Sequence, residues 1–87
     1  MKRYAVTEAQ LHTNGAIAHG TFDYGTNEAA AIGHYHSALA SGVASGLIAL
    51  TAMLEVMDDE SGLGYVQSET VKGTGTYIPP ATEGSEA

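Results

Sequence analysis

Hydrophobic and polar positions divide the chain into five patterned segments and a tail. Residues 4–12 and 16–24 alternate on either side of Asn14-Gly15. That dipeptide is a strong hairpin signal, because a type I′ turn needs two positive φ angles. A two-residue turn would pair Thr13 with Ala16, Leu11 with Ala18, Ala9 with Gly20, Thr7 with Phe22 and Ala5 with Tyr24. One face is then apolar and built mainly of small residues. The other, carrying Tyr4, Val6, Glu8, Gln10, His12, Ile17, His19, Thr21 and Asp23, is largely polar.

A change of period follows. Thr26 and Asn27 suit a helix N-cap, and Glu28 suits the positive end of the helix dipole. The run EAAAIGHYHSALASG predicts a helix from about Glu28 to Ser41. Ile32, Tyr35, Leu39 and Val43 (or Gly42) form its apolar stripe, with Ala31 and Ala38 beside it. Gly42 and Gly46 are the expected stops. The small residues of the hairpin's apolar face leave room for this helix to lie close.

Residues 47–57, LIALTAMLEVM, satisfy both periods. A short apolar run bounded by glycine and by Asp58-Asp59-Glu60-Ser61-Gly62 fits a central strand better than a helix. Residues 64–71 read as the strand returning from that turn. The result is an α+β fold in the order β-β-α-β-β, a small antiparallel sheet with one packed helix. Residues 1–71 form the single domain, and 72–87 an extended tail rich in Gly, Pro, Thr and Glu.

Composition narrows the function. Three Lys and Arg stand against ten Asp and Glu, a net charge of −7. Phosphate neutralisation needs clustered basic residues, so a nucleic-acid partner is not expected. No cysteine is present, which removes disulfides, thiolate metal sites and cysteine nucleophiles. The N-terminus MKRYAVTEAQLH lacks the apolar run of a signal peptide. A thin core in 87 residues, with six aromatic side chains and no Trp, points to self-association.

Candidate chemistry is sparse. His34 and His36 stand two apart, so a helix directs them about 200° from each other, and they cannot share a metal ion. They are expected at the edges of the buried stripe, their nitrogens satisfied by neighbours or water. His12 and His19 are the better candidate metal ligands, since the two-residue hairpin places them diagonally on one polar face. No third ligand is specified, so no metal or other cofactor is expected. Asp58, Asp59 and Glu60 lack the alternation of a calcium loop. Ser37, Ser41 and Ser45 lie in no nucleophile elbow, and the glycines match no phosphate-binding fingerprint. An enzyme is not expected, nor a small-molecule substrate.

Residues 37–54 carry no charge and include a Gly42–Gly46 GxxxG spacing, which raises the alternative of a small holin-like membrane protein. Dilution by Gly, Ser and Ala disfavours that membrane span. Another alternative is an acidic regulator that covers a basic host-protein surface.

Tyr4-Ala5-Val6-Thr7, Gly15, Ala18, Phe22, Tyr24, Thr26, Glu28-Ala29, Tyr35-His36-Ser37 and Leu39-Ala40 carry a resemblance over residues 3–70. In these positions the chain resembles small uncharacterised proteins encoded in phages and prophages of gut Firmicutes. The resemblance implies a viral setting and no catalytic residue. It ends after Val71, where this chain continues to Tyr77-Ile78-Pro79-Pro80. The sequence therefore points to a non-enzymatic structural or interaction protein, a minor capsid or decoration protein of a virion. Its expected partners are copies of itself or another virion or host protein, in the virion or host cytoplasm. Tyr77 and Ile78 are its expected anchors, stiffened by Pro79 and Pro80.

Overall fold

The computed structural model describes residues 1–79, and over them the chain folds in the expected order. Strands β1 (Lys2–Leu11) and β2 (Ile17–Gly25) form a hairpin, followed by helix α1 (Glu28–Ala44) and strands β3 (Ala49–Asp58) and β4 (Gly62–Lys72). All neighbouring strands are antiparallel, in the spatial order β2-β1-β3-β4. Because β1 runs opposite to both its neighbours, β2 and β3 are parallel. Helix α1 is the crossover that parallel strands require.

The hairpin register differs from the expected one by a single residue. Leu11 pairs with Ile17, Ala9 with His19, Thr7 with Thr21 and Val6 with Phe22. Asn14 does not take a positive φ; Gly15 alone does, at +90°. The Gly15 N–H donates to His12 C=O, and the His12 N–H donates to Ala16 C=O. This is a three-residue loop ending in a left-handed glycine rather than a two-residue type I′ turn. One residue of slip reverses the faces of β2 relative to β1.

The helix therefore meets β1 on the face expected to be polar and β2 on the face expected to be apolar. Val6 is fully buried with Leu50, Ala52 and Leu54 from β3 and with Ala31, Tyr35, Ala38 and Leu39 from α1. Tyr4, Tyr24, Leu47 and Val71 close the margins of this core. Among the described residues no layer covers the opposite face, and polar pairs run across it. Thr7 donates to Glu55 over 2.7 Å, and the Thr51 and Thr70 hydroxyls meet at 2.7 Å.

The local elements follow from their residues. Asn27 caps α1, its Oδ1 accepting from the Ala30 N–H at 3.1 Å. The helix passes the expected stop at Gly42 and ends at Ala44, with Ser45 as C-cap. Gly42 is buried there because a Cβ would lie 2.9 Å from Val71 Cγ2 and 3.0 Å from Leu50 Cβ. Of the alternative stripe positions it is thus Gly42, not Val43, that faces the sheet. Ile32 and Val43 remain exposed. Residues 45–48 turn the chain into β3, so the uncharged stretch 37–54 is part helix, part turn and part strand. No helix among the described residues is long and apolar enough to cross a membrane.

Beyond β4 the chain does not leave the body at once. Gly73, Thr74 and Gly75 N–H groups donate to the C=O groups of Ile48, Ser45 and Leu47, and Ile78 N–H donates to Thr13 C=O. A Cβ at Gly73 would lie 2.2 Å from Leu47 O, and one at Gly75 2.2 Å from Gly46 O. The Gly-Thr-Gly spacing is thus what lets this strap press backbone against backbone.

Candidate functional site

Three elements converge on His34. It projects from the middle of α1, Glu8 rises from β1 and Tyr24 from β2. The Glu8 carboxylate can only accept, so His34 Nε2 carries the proton and donates to Glu8 Oε2 over 2.5 Å. In the neutral imidazole, Nδ1 then accepts from the Tyr24 hydroxyl. Gln10 Nε2 lies 3.4 Å from Glu8 Oε1. The His34 ring is flanked by Phe22, centroids 4.5 Å apart, and edge-on by Tyr24 at 5.5 Å. The side chains of His34 and Glu8 are only 18% and 13% exposed. Hydrogen bonds sheltered to this degree are each worth on the order of 1 kcal/mol, and losing one partner costs more than that.

Beside this chain of hydrogen bonds lies an open groove of about 640 Å³ between α1 and the sheet. Glu8, Gln10, Tyr24 and His34 form its polar wall. Ser37 and Ser41 project from the helix above it, and Leu47 and Leu50 form its floor. Apart from His34, the helix contributes only small side chains here, which is why the groove stays open. None of the chain's three Lys and Arg residues lines it.

The histidines of GHYHSAL divide as helical geometry demands. His34 turns inward to two partners, whereas His36 is exposed and meets only the edge of Tyr35, at 5.2 Å between centroids. The meeting of Glu8 and Tyr24 on His34 was not expected from sequence, because the two-residue turn put them on opposite faces of the hairpin. Thr13-Asn14-Gly15 also fits a three-residue loop, and that alternative would have brought Glu8, Phe22 and Tyr24 to the same side.

The other expected sites lie elsewhere. His19 pairs with Ala9, on the face away from the helix, and His12 begins the loop beyond the last strand pair. Their diagonal adjacency disappears with the register slip. Among the described residues no group of three His, Cys, Asp or Glu could hold a metal ion. Asp58 accepts from the Glu60 N–H at 3.0 Å, forming a local turn. Tyr77 rests against Gly15, where an added Cβ would lie 3.1 Å from Tyr77 Cε1, and Ile78 is tied to Thr13. Both remain more than half exposed. Pro79 follows them, and Pro80 lies outside the described residues.

Tyr35 is completely buried, and among the described residues its hydroxyl has no hydrogen-bond partner. Burial first, then the negative charge of Glu69 and the approach of its carboxylate to the hydroxyl, short of a hydrogen bond, push this phenol above its ordinary value of 10.0. Comparison with protein-family models, with curated proteins and with solved structures finds no match to this chain.

Proposed function

We propose that the chain is a non-enzymatic structural or interaction protein that joins copies of itself or docks on a larger assembly, as a minor capsid or decoration protein of a phage virion. The observation that carries this reading is the placement of its exposed apolar side chains. Met57, Leu63, Tyr65 and Val66 gather where β3 turns into β4, and each keeps between 48% and 72% of its surface accessible. Among the described residues strand β4 is also an edge, so its outer backbone groups lack a neighbouring strand. Long apolar edges invite pairing unless charge, proline or a covering element blunts them. The opposite end of the sheet carries a second, smaller group, Ile17, Tyr77 and Ile78.

The viral setting rests on the resemblance in residues 3–70. Self-association rests on the exposed end of β3 and β4. Light scattering on the full chain tests it: the reading expects a mass above 8.9 kDa that rises with concentration. Replacing Leu63, Tyr65 and Val66 together by Ser should return that mass to a monomer without loss of the far-ultraviolet dichroism. A monomer at every concentration would overturn self-association and favour the acidic regulator of a host protein.

A further inference from the structure

We propose that the groove between α1 and the β1–β2 hairpin is a binding site for a neutral polyhydroxylated ligand, of the saccharide class. This inference is independent of assembly through β3 and β4. It rests on which groups line the groove and which of them are already engaged.

Anions find no counter-charge, because no Lys or Arg reaches the lining. Organic cations would need the Glu8 carboxylate. One of its oxygens takes the His34 proton at 2.5 Å, and the other faces the Gln10 amide at 3.4 Å. Apart from the Glu8–His34 pair, what the groove offers is uncharged. The Tyr24 oxygen, paired with His34 Nδ1, retains a lone pair with which to accept. Ser37 and Ser41 are exposed hydroxyls that both donate and accept, and the Gln10 amide does both as well. A ligand made of hydroxyl groups matches such mixed partners, each group giving one hydrogen bond and taking another. Leu47 and Leu50 beneath them supply an apolar floor for the C–H face that a sugar ring presents. The volume of about 640 Å³ lies within the range of small-molecule sites.

The Glu8–His34–Tyr24 chain gives the wall its rigidity. It ties β1, α1 and β2 together and holds the phenol oxygen in one place before any ligand arrives, which lowers the cost of ordering on binding. Ser37 and Ser41, one helical turn apart, present their hydroxyls along the same side of α1.

The test is titration of the isotope-labelled full chain, followed by NMR, with D-glucose, D-galactose and N-acetyl-D-glucosamine in turn. Butylamine serves as the cationic comparison. Saturable shifts confined to the amides of Gln10, Ser37 and Ser41 and the Gln10 side chain are expected with at least one sugar. Ser41→Leu should fill the groove at an exposed helical position where Leu is the better helix former, so the fold is kept. Its affinity for that sugar should fall at least roughly tenfold. No saturable shift with any of the three sugars would overturn the proposal. So would binding of butylamine alone, or sugar binding unchanged in a folded Ser41→Leu protein.

Discussion

Tyr35 and His34 are chain neighbours with opposite fates. Tyr35 is the largest fully buried side chain, yet its hydroxyl has no partner among the described residues. Tyr35→Phe should therefore raise stability by about 1 kcal/mol, the order of an unmade buried hydrogen bond, read from the urea midpoint. Because folding raises the phenol's pKa, the neutral form is favoured in the folded state. The stability this contributes is fully present below the unfolded value near 10.0 and is lost as pH climbs through the higher folded value. Tyr35→Phe should lack that part of the alkaline decline. His34, by contrast, has both ring nitrogens engaged. His34→Phe should cost about 1–3 kcal/mol, since Glu8 would stay sheltered with its main partner gone. Glu8→Gln should cost less, because an amide oxygen can still accept from the imidazole. The divergence of His34 and His36 was legible from helical geometry alone. The partners of His34 were not, since they depend on which face of β1 meets the helix.

At the level of elements, glycine has two distinct uses in the helix. Nothing lies within 4 Å of a Cβ built on Gly33, whereas one on Gly42 would press on Val71 and Leu50. Gly33→Ala should stabilise the protein by about 1 kcal/mol through helix propensity. Gly42→Ala should destabilise it by about 1–3 kcal/mol through overpacking. Thermal unfolding of the two variants checks the opposite signs. In the strap, Gly73→Ala or Gly75→Ala should detach the segment. The amides of Thr74 and Ile78 would then exchange faster with solvent, while those of β1 and β3 remain protected.

Element type and order were readable because periodicity, caps and turn residues agree along the chain. The hairpin register was not, because Asn14-Gly15 serves two loop lengths and only the packed helix distinguishes them. Val6 is the deciding residue: it needs the core, and the three-residue loop lets Phe22 and Tyr24 stand on its side. Residues 73–78 were read as tail because their composition is that of a linker. Their hydrogen bonds run to backbone groups of residues 13 and 45–48, which leave no side-chain pattern.

On the scale of the molecule, a single helix covers one face of a four-stranded sheet. The core is correspondingly thin, with Tyr35 and Val6 the only large side chains among the described residues wholly removed from water. The uncovered ends carry apolar side chains, and the net charge of −7 opposes their approach to one another. Added salt should therefore strengthen self-association, because it screens the mutual repulsion of the acidic surfaces while leaving apolar contacts in place. A rise in light-scattering mass between low and physiological ionic strength is the expected result.

The central claim is that copies of the chain meet through the exposed end of β3 and β4. Amide hydrogen exchange at Leu63–Val66, measured on the full chain at low and high protein concentration, tests it most directly. The account predicts slower exchange at these amides at high concentration, with the amides of α1 unchanged. Equal rates at both concentrations, in a sample whose mass has risen, would place the contact elsewhere and contradict it.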